Sequence, residues 1–197
     1  MSLHGPRVET WRMFIAIELP GELRAQLSEH VNQLRKALPD VRASWNREPN
    51  FHLTLKFLGD VPLARVEDLT QATGRAALAI QPFNLTVNGG GVFPPHRRPK
   101  VLWVGIEDTD GQLSELHANL ENECNRAGFA REERPFHPHL TIARLRDSHG
   151  AGRAAELHRK MPLRNHTIEV AAIVLFRSEL LSEGSRHTAV SRHSLSS

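Results

Sequence analysis

Cysteine is almost missing from the chain: Cys124 is the single one, so no intrachain disulfide and no cysteine-based zinc site can form. Its neighbours carry the spacing of a helix face, which makes it a packing residue. Long apolar runs are missing too. No stretch approaches the ~20 residues of a membrane-spanning helix, and Met1–Trp11 lacks the apolar centre of a secretory leader. The expectation is a soluble, cytoplasmic protein without membrane contact. Charge of one sign is scarce, with 25 Lys and Arg against 22 Asp and Glu for a net +3, which excludes a histone-like polycation. Twelve histidines can add positive charge in mild acid, so a phosphate-bearing ligand is permitted. What is present suffices for one large core or two small lobes: 197 residues, 40% of them hydrophobic.

The apolar pattern reads as a repeat. Arg12–Ile17 forms a buried strand; Leu23, Leu27, Val31, Leu34 and Leu38 mark a helix face; Phe51–Phe57 alternates as a strand. Val66, Leu69, Ala76, Ala77 and Ile80 suggest a second helix before the strand Phe83–Val87. The second half runs in the same order, with strands at Val101–Ile106, His139–Ala143 and Ile168–Phe176 and helices marked by Leu113–Cys124 and Ala154–Met161. The chain is thus expected to hold a single domain over 12–190, made of two lobes, one per repeat (12–90 and 101–176). Residues 1–11 form an extension and 191–197 a flexible tail. Gly89–Lys100, rich in glycine and proline, is expected as a loop or hinge between the lobes, with Arg97, Arg98 and Lys100 exposed on it.

Each repeat places one pattern on its central strand: His52-Leu53-Thr54-Leu55 and His139-Leu140-Thr141-Ile142. Strand side chains alternate, so His and Thr share one face while the aliphatic residues enter the core. One such pattern is usually structural; two at matching places suggest a groove between opposed His–Thr pairs. Phosphodiester hydrolysis needs a base to activate water and an acid to protonate the departing oxygen. Two histidines supply both, one neutral and one protonated near neutrality, and Thr54 and Thr141 can donate to the non-bridging oxygens. The Arg144 guanidinium suits phosphate, but strict alternation puts it on the face opposite Thr141, so a bend or bulge is required for it to reach the groove. Lys56 stands near the matching place in the first repeat. Phe14, on the neighbouring strand, can stack on a base or pack in the core. His30, His117, His158 and His166 are expected at the surface.

These residues carry a resemblance. Arg12–Ala16, Asn50–Gly59, Phe136–Arg144 and Phe176–Leu180 are similar to the 2H phosphoesterase superfamily, and within it to the bacterial and archaeal RNA 2',3'-cyclic phosphodiesterases, also called 2'-5' RNA ligases. The resemblance implies an α+β, bilobal fold: two pseudo-symmetric β-α-β-α-β half-domains with largely antiparallel sheets around a central cleft. It implies a monomer with no cofactor, acting on RNA with 2',3'-cyclic phosphate ends and leaving a 2'-phosphate, with reversible 2'-5' ligation of tRNA halves. By resemblance His52 protonates the leaving 3' oxygen and His139 activates water. Related chains commonly carry a tyrosine in the last strand; this sequence has none and offers His187 there. The competing readings are a hydrolase of a small cyclic nucleotide or ADP-ribose cyclic phosphate, and an RNA-binding module without catalysis. A metal site on His137 and His139 is disfavoured, because neither a His-Glu-x-x-His helix nor a cysteine cluster accompanies them.

Overall fold

The apolar run Met13–Ile17 is buried throughout, as a strand covered on both faces requires, and it forms the centre of β1 (Thr10–Glu18). The computed structural model describes residues 8–95, 98–182 and 184–196. After β1 come α1 (Gly21–Ala37), β2 (Ala43–Trp45), β3 (His52–Pro62), α2 (Val66–Leu78) and β4 (Phe83–Phe93). The second half contributes β5 (Val101–Glu107), α3 (Gln112–Arg126), β6 (His139–Leu145), α4 (Ala151–Lys160), β7 (His166–Val170), β8 (Ala172–Leu181) and β9 (Gly184–Ser194). Each helix buries the apolar stripe read from the sequence: Leu23, Leu27, Val31 and Leu34 on α1, Leu113, Leu116, Leu120 and Cys124 on α3. The Asp108 carboxylate starts α3 by accepting from the N–H groups of Leu113 and Ser114, which would otherwise be orphaned.

Among the described residues the strands form two antiparallel sheets, in the orders β3-β1-β8-β9 and β2-β6-β5-β4-β7. Superposing β3-β1-β8-β9 on β6-β5-β4-β7 brings the two motif strands into equivalent places. The mixed helix and antiparallel-sheet class is as expected, but the assignment of one repeat to each lobe is corrected. β4 of the first repeat joins the sheet of the second, while β8 and β9 return to the sheet of the first. The short connection after Phe93 makes β4 and β5 a hairpin, and hairpin strands pair with each other. The expected strand Ile168–Phe176 is two strands, β7 and β8, whose junction at Ala171 carries the chain from one sheet to the other.

Three further expectations change. Gly89–Phe93 is strand, not hinge: Gly89 takes φ 64° at a bulge, and Gly91 leaves the space that the Trp103 indole fills. Of the basic cluster, Arg98 and Lys100 are exposed, and Arg97 lies outside the described residues. The 191–197 tail is mostly β9, paired with β8, followed by Leu195, 4% exposed. A serine-rich edge strand with one solvated face has the composition of a frayed end. Thr10 and Trp11, assigned to the N-terminal extension, already belong to β1.

The histidines expected at the surface divide. His30 and His158 are buried, with His30 Nε2 2.9 Å from His158 Nδ1 and His158 Nε2 2.8 Å from the Trp103 carbonyl. The carbonyl can only accept, so His158 Nε2 donates to it and His30 Nε2 donates to His158 Nδ1. His117 stacks on Phe136, ring centroids 3.9 Å apart.

Candidate active site

The motif strands β3 and β6 face each other across the cleft between the sheets. On β3, His52 and Thr54 are half-buried while Leu53 and Leu55 are buried; on β6, His139 and Thr141 alternate with buried Leu140 and Ile142 in the same way. Each histidine has the carbonyl two residues before it as a neighbour. His139 Nδ1 lies 2.7 Å from the His137 oxygen, and the Asn50 carbonyl lies near enough to the His52 ring to favour its protonated form. The carbonyl accepts, so Nδ1 of His139 carries the proton and Nε2 keeps a free lone pair.

Asn46, which no sequence signal singled out, ties the two halves together. Its side-chain amide donates to the Asn50 oxygen at 3.3 Å and to the Thr141 oxygen at 3.1 Å, and its backbone N–H donates to the Ile142 oxygen at 2.8 Å. One side chain thus braces the Asn50 carbonyl next to His52 and the strand that carries His139.

Burial lowers the pKa of His52 to about 4; neighbouring His187 adds to the effect and the Asn50 carbonyl opposes it. His139 is lowered by burial as well, with the His137 carbonyl opposing and Arg144 and His137 reinforcing. Both rings are therefore neutral near pH 7 in the free protein. The expectation of one protonated and one neutral histidine changes accordingly: a proton on either ring requires a nearby anion.

The bulge that Arg144 required is present. Trp103 pairs with Thr141 and Leu102 with Ala143, leaving Ile142 as the extra residue. Ile142 and Ala143 are consecutively buried, and Arg144 returns exposed to the cleft face. β3 bulges equivalently at Leu55, between the pairs Ala16–Thr54 and Ile15–Lys56. The same reversal sends Lys56 into the interior, 3% exposed, where its ammonium meets Glu121 at 2.7 Å and the Ala130 carbonyl at 2.9 Å. Lys56 is thus removed from the substrate contacts, and the counterpart of Arg144 on β3 is Phe57, 60% exposed.

Phe14 is corrected as well. It is 3% exposed, stacked behind His52 at 4.7 Å and on Phe176 at 5.1 Å, so it supports the imidazole instead of meeting a base. His187 does reach the site: its ring stands edge-on to His52 at 5.3 Å, and its buried Nδ1 has no partner among the described residues. On the other lobe His139 is flanked by Phe93 at 5.1 Å and Trp103 at 6.4 Å. No cluster of three metal-ligating side chains occurs among the described residues, and none of their helices is long and apolar enough to cross a membrane.

Two facing His-x-Thr strands on a duplicated, strand-exchanged antiparallel frame define a class, and the chain belongs to it: the sequence profile of the 2'-5' RNA ligase superfamily matches residues 13–180. Among individual relatives, the RNA 2',3'-cyclic phosphodiesterase of Methanothermobacter thermautotrophicus is 34% identical over 181 residues, covering 90% of this chain and 95% of that one. The Geobacillus stearothermophilus protein of the same name is 32% identical over 167 residues, 85% of this chain; the match spans 52% of that longer relative. Among solved structures, Escherichia coli LigT complexed with 3'-AMP superposes with a TM-score of 0.77 at 30% identity, covering 96% of this chain and all of that one.

Proposed function

We propose that this chain is an RNA 2',3'-cyclic phosphodiesterase that opens the cyclic phosphate to a 2'-phosphate by two-histidine acid–base catalysis. The observation that carries the reading is the pair of half-buried imidazoles on facing strands, with His139 fixed by the His137 carbonyl. With Nδ1–H of His139 committed to its carbonyl, Nε2 is the base that takes a proton from water. His52 delivers its proton to the departing 3' oxygen on the other side of phosphorus. The bond from phosphorus to the water oxygen forms as the bond to the 3' oxygen breaks, and the same opening with a ribose 5'-hydroxyl in place of water is ligation through a 2'-5' linkage. Thr54, Thr141 and Arg144 hold the non-bridging oxygens, where negative charge accumulates. The bound anion also raises the depressed pKa of His52 and so loads the acid.

RNA ends are favoured over a small cyclic nucleotide because the relatives named above are RNA cyclic phosphodiesterases and a cavity with the aromatic rings of Phe93 and Trp103 opens beside His139. RNA binding without catalysis is the weaker reading, since both His–Thr pairs are intact and oriented. The test is a comparison of kcat/KM for an oligoribonucleotide ending in 2',3'-cyclic phosphate, a nucleoside 2',3'-cyclic phosphate and ADP-ribose cyclic phosphate. The oligonucleotide is expected to lead by about tenfold or more, as contacts beyond the terminal nucleotide contribute. A lead for either small substrate would transfer the assignment to it.

A further inference from the structure

A cavity of about 390 Å³ opens beside His139, and the proton transfers make no use of it. Phe93, Trp103, Gly105, Asn88 and Glu107 line it together with His139. The Trp103 indole lies directly against Gly91, where a Cβ would come within 2.1 Å of the ring. Glycine there allows a flat aromatic platform on the open face of the sheet. Gly105 pairs with His139 across the sheet, and Glu107 lies two residues further along β5, roughly 7 Å by the strand rise.

At that far end the Glu107 carboxylate offers acceptors only. The Asn88 side chain meets Glu107 Oε1 at 2.7 Å. A carboxylate only accepts, so Asn88 must present its NH2 there, which uses one of its two N–H donors. Glu107 Oε2 and the second lone pair of Oε1 remain as a pair of adjacent acceptors, with the Asn88 amide beside them. Among the RNA bases only guanine presents adjacent donors, N1–H and the 2-amino group, on its pairing edge. Adenine, cytosine and uracil each set an acceptor beside their donor.

We propose that this cavity is a guanine subsite, with the base over the Trp103 platform and its pairing edge on Glu107 and Asn88, placing a guanosine on the His139 side of the phosphate. The proposal rests on the reading of the cleft as an RNA-end hydrolase. It makes Glu107 a specificity-determining residue for that reaction.

The experiment varies the terminal and the penultimate base of short oligoribonucleotides ending in 2',3'-cyclic phosphate and measures kcat/KM for each with the wild-type protein and Glu107→Gln. Guanine at one of the two positions is expected to lead by about tenfold or more, the scale of a hydrogen bond to a charged group. Glu107→Gln can turn an NH2 toward guanine's donors and is expected to collapse that ratio. Equal rates for all bases, or a guanine preference that survives Glu107→Gln, would overturn the subsite. Calorimetric binding of guanosine 3'-monophosphate against adenosine 3'-monophosphate separates the two levels of the argument. Tighter guanosine binding, lost in Glu107→Gln, supports the subsite even if no oligonucleotide is turned over, a result that would sink the catalytic reading alone. Equal binding of the two nucleotides overturns the subsite.

Discussion

With His139 replaced by alanine, turnover of an RNA cyclic phosphate falls by about 10²- to 10⁴-fold, the span of a lost general acid or base, while RNA affinity is largely kept. His52→Ala falls in the same range, because each ring performs one of two obligatory proton transfers. Steady-state kinetics with equilibrium RNA binding measures both quantities, and turnover unchanged in His139→Ala would contradict its role. The pH profile follows from the same two rings. With its pKa at about 4, His52 is protonated in roughly one molecule in a thousand at pH 7. The required state has one ring protonated and one neutral, and both pKa values are depressed, so the acid form is lost as pH rises through them. The kcat/KM profile, which reports free enzyme, therefore peaks on the acid side of ~6.5, the unperturbed imidazole value. The alkaline limb of kcat lies at higher pH, because bound phosphate favours the imidazolium.

Replacing Lys56 by methionine lowers the free energy of unfolding by about 3–5 kcal/mol, the cost of leaving one partner of a buried ion pair alone. The Lys56 and Glu121 side chains are 1% and 7% exposed at 2.7 Å separation, so water cannot replace the missing ammonium. Glu121 is held further by the Glu132 N–H at 3.1 Å, and Lys56 by the Ala130 carbonyl. The pair thus fastens the segment that leads into His139 to the strand that carries His52. The double variant Lys56→Met, Glu121→Leu removes both charges and is expected to recover most of the loss. Urea denaturation of the single and double variants checks this; a single variant within about 1 kcal/mol of wild type would contradict the assignment.

What the sequence could disclose was set by periodicity. The helix stripes of α1 and α3, the alternation in β3 and β6, and the duplicated His-x-Thr are local patterns, and the structure places these residues as the patterns require. Lys56 and Arg144 show where local pattern ends. A bulge inverts alternation, and neither carries a sequence mark; Arg144 reaches the cleft face only through one, whereas the bulge at Leu55 turns Lys56 away from the face of Thr54 and into the interior. The partnership of strands is equally silent, since β4 and β8 change sheets at a hairpin and at a single residue, Ala171. Polar residues at buried sites, such as the His30–His158 pair, read as surface from composition because burial came with partners distant in the chain. Asn46 braces both motif strands only after folding has brought Asn50 and Thr141 to it.

The most direct measurement incubates the purified protein with an oligoribonucleotide ending in 2',3'-cyclic phosphate in excess EDTA and identifies the terminal phosphate. Histidines that carry both proton transfers, with Arg144 and the threonines holding the charge, predict a 2'-phosphate end at full rate. No product, or product only when a divalent cation is restored, would contradict the two-histidine account.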